Sequence, residues 1–229
     1  MFVIDDVSIA AGIVHPRAKG RGLGTELLER NERRAREREV PRIHQFALGA
    51  DPAAHELLKR HGYTDVRHFY EMAIELAAPP ELTEIPVETY TEEDARAFHH
   101  AIDEAFQDHW EHHSIAFDEW WERHTSKPDY DPSLWFLIRD GDELAAVVRN
   151  EGGRTGGGYV AAIGVRRPWR GKGYAKALLL RTFKEFYDRG QTRVTLGVDA
   201  SSPTGATHLY ERVGMHVEQE NIVFEKTLT

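Results

Sequence analysis

The chain has 229 residues, 41% hydrophobic and 29% charged, a balance that suits one large or two small globular domains and excludes a disordered chain. A formal net charge of -9, from 29 basic and 38 acidic residues, argues against nucleic acid or an acidic membrane as partner, since both need clustered, uncompensated Lys and Arg. With no cysteine, disulfides, thiolate metal sites and an acyl-cysteine intermediate are excluded, and a reducing cytoplasm is the expected location.

Met1, Phe2, Val3 and Ile4 run straight into Asp5 and Asp6, without the basic start of a signal peptide, and no run approaches the roughly 18 apolar residues of a membrane span. The apolar run at residues 8–14 predicts a strand with nothing before it to pair with. A glycine-rich turn (Lys19-Gly20-Arg21-Gly22-Leu23-Gly24) and a helix beginning Thr25-Glu26-Leu27-Leu28 follow. A second helix carries Leu57 and Leu58, and residues 70–76 read as a strand. Ala77-Ala78-Pro79-Pro80-Glu81 then reads as a linker.

Beyond it the predicted order is a strand at 86–90, a helix entered through a capping-box-like Thr91-Glu92-Glu93-Asp94, a His- and Trp-rich connection, and a helix at 117–124. Strands at 134–139 and 144–149 flank a turn at Asp140-Gly141-Asp142. A Gly-rich loop leads to a strand at 159–165, followed by a helix at 173–189, a strand at 193–198, a helix at 203–213 and two short final strands.

The chain repeats itself once. Gly22 answers to Gly173, and the flanking segments match, Ser8-Ile9-Ala10-Ala11 with Tyr159-Val160-Ala161-Ala162 and Thr25-Glu26-Leu27-Leu28 with Lys176-Ala177-Leu178-Leu179. Leu57-Leu58-Lys59-Arg60-His61-Gly62 answers to Leu209-Tyr210-Glu211-Arg212-Val213-Gly214. Residues 81–153 have no counterpart, so the reading is an incomplete first copy (residues 1–78) that needs packing against the second copy or a homodimer mate, followed by a complete domain (79–229). The expected class is α/β with a mixed sheet.

The segment from Val165 to Ala175 carries the chemistry. Gly171 and Gly173 remove the Cβ atoms that would hold a ligand off the backbone, and the first helical turn leaves its N–H groups unpaired. Those donors and the positive end of the helix dipole suit a pyrophosphate, with Arg170 and Lys172 adding local charge. Gly171-Lys172 is followed by Gly173-Tyr174, not the Ser or Thr of a Walker loop, and the glycine spacing is not that of the dinucleotide fingerprint.

Arg170-Gly171-Lys172-Gly173-Tyr174-Ala175 matches the signature of the GNAT (N-acetyltransferase) superfamily, Arg or Gln, two residues, Gly, one residue, then Gly or Ala, and the chain resembles that superfamily. The tandem arrangement is similar to that of the mycothiol synthases. The resemblance implies a GNAT fold, acetyl-CoA as cosubstrate and an amine acceptor. It gives Ile163, Gly164 and Val165 to the pantetheine arm, Arg170, Gly171, Lys172, Gly173, Tyr174 and Ala175 to the pyrophosphate, and Tyr210 to the leaving sulfur. Ser202 stands where the superfamily commonly has Asn.

For a base, His109, His113 and Asp199 are the candidates. Phe106, His109, Trp110 and His113 fall where the superfamily builds its acceptor wall, the alternative being an ordinary solvated loop. His109 and His112 would share a helical face, but no Cys or carboxylate cluster completes a metal site, and none is expected. Tyr210 is alternatively a core aromatic, the first copy having Leu58 in its place. The rival function is a non-catalytic acyl-CoA-binding or sensing module.

Overall fold

The computed structural model describes residues 2–4, 6–154, 156–202 and 204–228. Among them run ten strands and six α-helices of a mixed α/β architecture. They form two compact units, residues 1–71, 199–201 and 217–229 in the first and residues 72–198 and 202–216 in the second. The repeat divides the chain near residue 78, whereas the compact units interleave along it.

In the first unit the strand order is β1 (Phe2–Ile4), β2 (Val7–Ala10), β3 (Arg42–Leu48), β10 (His216–Thr227) and β4 (Thr64–Glu75). β2 and β3 are parallel, so the chain needs a crossover between them, and α1 (Leu23–Arg36) supplies it. Leu28, Glu32 and Ala35 form the buried stripe of α1, at the spacing of one helical face. α2 (Pro52–Arg60) starts at Asp51, whose side chain accepts from the Ala54 N–H, with Pro52 in the first turn where its missing donor costs nothing.

The core of this unit joins Leu28, Ala35, Ile43, Ala47 and Leu58 to Ile222 and Phe224, two residues of β10 that alternate onto one face. β10 belongs to the second copy of the repeat, yet it pairs antiparallel with β3 of the first, from Asn221 opposite Leu48 to Thr227 opposite Arg42. Its charges are matched locally. Glu225 accepts from Arg42 at 2.9 Å and contacts His44 at 2.8 Å, while Lys226 donates to Glu32 at 2.8 Å.

Two expectations change here. The strand at Ser8 does not open a bare edge, because the first residues fold back as β1 and pair antiparallel with Val7, Ser8 and Ile9. The two short final strands are one strand of twelve residues. The polar Glu218-Gln219-Glu220-Asn221 stretch stays extended because its neighbours give it partners, as where Glu220 meets His68 at 2.7 Å.

In the second unit the order runs from residues 72–75 of β4 through β9 (Arg193–Asp199, its last residue counted in the first unit), β8 (Gly157–Val165), β7 (Glu143–Arg154), β6 (Trp135–Asp140) and β5 (Glu88–Thr89). β5 is shorter than the expected strand at 86–90, although the Tyr90 N–H still donates to the Trp135 carbonyl at 2.9 Å. The expected Gly-rich loop is mostly strand, β7 continuing to Arg154 and β8 starting at Gly157; Thr155 lies outside the described residues. Thr91 and Asp94 do form a capping box, ahead of α3 (Ala95–Phe106). α4 (Phe117–Thr125), α5 (Tyr174–Asp188) and α6 (Ala206–Arg212) complete the unit. The start of α6 falls later than expected, and Pro203 lies outside the described residues.

β8 is bent by one extra residue. Val160 pairs with Asn150 and Ala162 with Arg149, leaving Ala161 bulged between them. The bulge reverses which side of the sheet each later residue faces. Gly158, before it, lies beneath Phe186 of α5, where a Cβ would come within 2.4 Å of the ring. Gly164, after it, lies against Ala105 of α3, where a Cβ would come within 2.6 Å. Without the bulge, positions six apart would face the same way. The parallel ladder with β9 runs from Gly158 opposite Val194 to Val160 opposite Leu196 and stops at the bulge.

The placement of Phe224 yields a test of the interleaved first unit. Phe224 is almost fully buried there, so Phe224→Ala should cost about 3 kcal/mol of unfolding free energy in urea. A loss of less than about 1 kcal/mol would mean that β10 is not part of that core.

Candidate active site

The site is assembled where β8 gives way to α5. Past Ala161, the side of β8 that faced β9 has no ladder partner among the described residues, so the stretch that holds Ile163, Gly164 and Val165 offers main-chain groups along one edge. One 3-10 turn (Arg167–Trp169) follows, and the chain then passes through Gly171 at φ +80 and Gly173 at φ +84 into α5.

Both glycines are required by the backbone, because a side chain at such φ is strained. Space does not require them: a Cβ on Gly171 would meet nothing within 4 Å. The first helical bond of α5 runs from the Ala177 N–H to the Gly173 carbonyl, and no side chain caps the helix. The amides just ahead of Ala177 are therefore left for an external acceptor, with the helix dipole behind them.

The charged side chains around the turn are built into the protein. Arg170 donates through Nε to the Val165 carbonyl at 3.2 Å, through Nη1 to Asp108 at 3.1 Å and through Nη2 to the Ala105 carbonyl at 3.4 Å. Arg166 donates to Glu104 at 2.6 Å and to Glu143 at 3.0 Å, and its guanidinium lies over the Trp169 ring. Lys172 sits 3.7 Å from Asp140, which also accepts from the Trp169 indole at 2.7 Å. Tyr174 and Ala175 are the first two residues of α5.

Tyr210 lies on α6 and is only 6% exposed. Burial alone pushes its phenol up to about 12, with no hydrogen bond contributing. It is therefore a neutral O–H at any ordinary pH. Ser202, the residue in the Asn position, has its hydroxyl 2.9 Å from that of Thr204. Asp199 belongs to the first unit, where Arg67 donates to its Oδ2 at 2.8 Å and the Ser201 N–H donates to its Oδ1 at 2.8 Å.

α3 ends at Phe106, so His109 and His112 do not lie on a helix. His109 stacks on Phe106 with ring centroids 4.3 Å apart, and His112 contacts Asp103 at 3.1 Å. The connection that holds them is tied to the turn through Asp108, which pairs with both Arg167 and Arg170. Asp108 did not stand out in the sequence, because nothing local marks a carboxylate whose partners lie 59 and 62 residues away.

The first copy repeats the turn in detail. A 3-10 turn (Pro16–Ala18) leads through Gly20 at φ +77 and Gly22 at φ +82 into an uncapped α1. A cavity of about 410 Å³ opens there, lined by Gly20, Gly22, Asn31, Gln45 and Leu58 among others. Lys19, in the signature's first position, is bound to Asp51 at 2.8 Å.

The Acetyltransferase (GNAT) family profile matches residues 3–63 and 86–215, thus both copies. The chain is 28% identical to the mycothiol acetyltransferase of Nocardiopsis dassonvillei, over 93% of this chain and 72% of that protein. It is 31% identical to the mycothiol acetyltransferase of Thermobispora bispora, over 88% and 70% respectively. A crystal structure of a GCN5-related N-acetyltransferase from Sphaerobacter thermophilus superposes with a TM-score of 0.85 at 35% identity, covering 97% of this chain and 73% of that one. With the family matched across both copies and the turn built as its signature requires, the chain belongs to the GNAT acetyltransferase family.

Proposed function

We propose that the chain transfers an acetyl group from acetyl-CoA to a primary amine of a small molecule or peptide, directly and in a ternary complex. The observation that carries this reading is the continuity of the unpaired β8 edge with the uncapped, glycine-led start of α5. A pantetheine arm lying along Ile163, Gly164 and Val165 would deliver its pyrophosphate to the amides after Gly171 and Gly173. Gly171 leaves open space on its α-carbon and α5 has free donors, so these residues fit the group. Catalysis belongs to the second copy, residues 79–229. The first, residues 1–78, is non-catalytic, with Leu58 in the place of Tyr210 and Lys19 committed to Asp51. Among the described residues no helix is long and apolar enough to cross a membrane; we place the reaction in the cytoplasm, the expected location of a chain without cysteine.

In the reaction, the neutral amine nitrogen attacks the thioester carbonyl carbon, and the C–S bond breaks as the C–N bond is completed. The proton lost by nitrogen goes to a base, and the sulfur gains one from Tyr210. With its phenol near 12, Tyr210 is a weaker acid than a thiol of about 8.5, so its proton transfer to sulfur is uphill by itself and is completed as the phenolate regains a proton from solvent or from the protonated base. We place the base at His109, on the connection tied to the turn, in preference to Asp199, whose carboxylate is held by Arg67.

Two outcomes test the reading. Gly173→Asp should abolish acetyl-CoA binding in calorimetry, while Gly173→Asn, which strains the same φ without the charge, should retain measurable affinity. Equal affinities for the two variants would remove the pyrophosphate from this turn. Tyr210→Phe should lower kcat at least about tenfold with the acetyl-CoA KM unchanged. In the wild type, kcat should show no fall as pH rises to about 10, because the Tyr210 proton is lost only near 12. A Tyr210→Phe variant with wild-type kcat would return that residue to the core.

A further inference from the structure

Asp108 lies second in the connection that leaves α3, and it faces the turn with two cationic partners. Arg167 reaches it with Nε at 3.4 Å and with Nη2, and Arg170 reaches it with Nη1 at 3.1 Å. The remaining donors of Arg170 are bound to the Val165 and Ala105 carbonyls, so its guanidinium is anchored on the protein side. Ion pairs from Arg167 and then Arg170 hold the Asp108 carboxyl below the usual carboxylate range. It is thus charged wherever the enzyme would be assayed. We propose that Asp108 is a positioning residue that competes with the donor's pyrophosphate for Arg167 and Arg170, holding the 107–116 connection against the turn until acetyl-CoA arrives.

This rests on the reading of the turn as the pyrophosphate site. The physical argument is one of shared cations. Arg170 immediately precedes Gly171, so a doubly charged pyrophosphate on the α5 amides meets the same guanidinium groups that Asp108 already uses. Asp108 and the phosphates repel each other, and only one of these can be the principal partner. The Arg167 and Asp108 side chains are 55% and 29% exposed, and pairs in such a setting are weak enough for a ligand to displace. Displacement frees the connection that carries Trp110 and His109, the latter stacked on Phe106 at the end of α3. Acceptor-side rearrangement would then follow donor binding.

Asp108→Asn keeps the shape and removes the competitor. Its affinity for coenzyme A in calorimetry should rise about threefold over wild type, with the acetyl-CoA KM falling in step and the acceptor KM rising. Asp118→Asn, which removes an equal charge from a 93% exposed side chain, should leave coenzyme A affinity unchanged. In the unaltered protein, saturating coenzyme A should speed hydrogen exchange of amides 107–113. This arm needs no variant and decides the matter if Asp108→Asn does not fold. An Asp108→Asn affinity no tighter than that of Asp118→Asn, or exchange at 107–113 that coenzyme A slows or leaves alone, overturns the proposal. If the proposal fails while Gly173→Asp still abolishes binding, the pyrophosphate reading stands alone; if Gly173→Asp binds like Gly173→Asn, both fall.

Discussion

The bulge at Ala161 is the constraint on which the second unit turns. A parallel strand pair normally satisfies both strands' main-chain groups along their shared edge, which leaves no room for a ligand. One extra residue in β8 ends that pairing at Val160 and reverses the facing of everything after it. The same bend seats Gly164 against Ala105 of α3 and Gly158 beneath Phe186 of α5, so helices can close on both faces of one strand. It also delivers the end of β8 to the 3-10 turn, so that an open strand edge and an open helix N-terminus follow one another along the chain. The acetyl-CoA binding proposed for this chain would use both.

The second constraint is the assignment of β10 to the first unit. β3 has β2 on one side, and β10 supplies the other with a seven-residue antiparallel register together with Ile222 and Phe224. A segment as short as the first 71 residues buries little apolar surface by itself. β10 adds to it, and local charge pairs such as Arg42 with Glu225 and Lys226 with Glu32 match its polar residues.

The turn was legible in the sequence because its demands are local. Gly171 and Gly173 adopt a backbone conformation that other residues resist, so the need for glycine shows directly as glycine, and twice over in Gly20 and Gly22. The helices at α4 and α5 followed from apolar spacing for the same reason. The bulge was not legible, since Ala161-Ala162 is as compatible with regular strand as with an irregular one. Strand alternation tells which face a residue covers and not which strand lies beside it, which is why β10 read as two short final strands and not as the neighbour of β3. Asp108 was hidden because its partners are distant in sequence, and β1 because four apolar residues before two acids look too few to pair.

The central claim is that the donor lies along β8 with its pyrophosphate on α5 of the second copy. The most direct measurement is a crystal structure with coenzyme A bound. It should show the pyrophosphate oxygens hydrogen-bonded to amides between Gly171 and Lys176 and the pantetheine alongside Ile163, Gly164 and Val165. Coenzyme A bound only elsewhere, with β8 and the start of α5 left bare, would contradict the account.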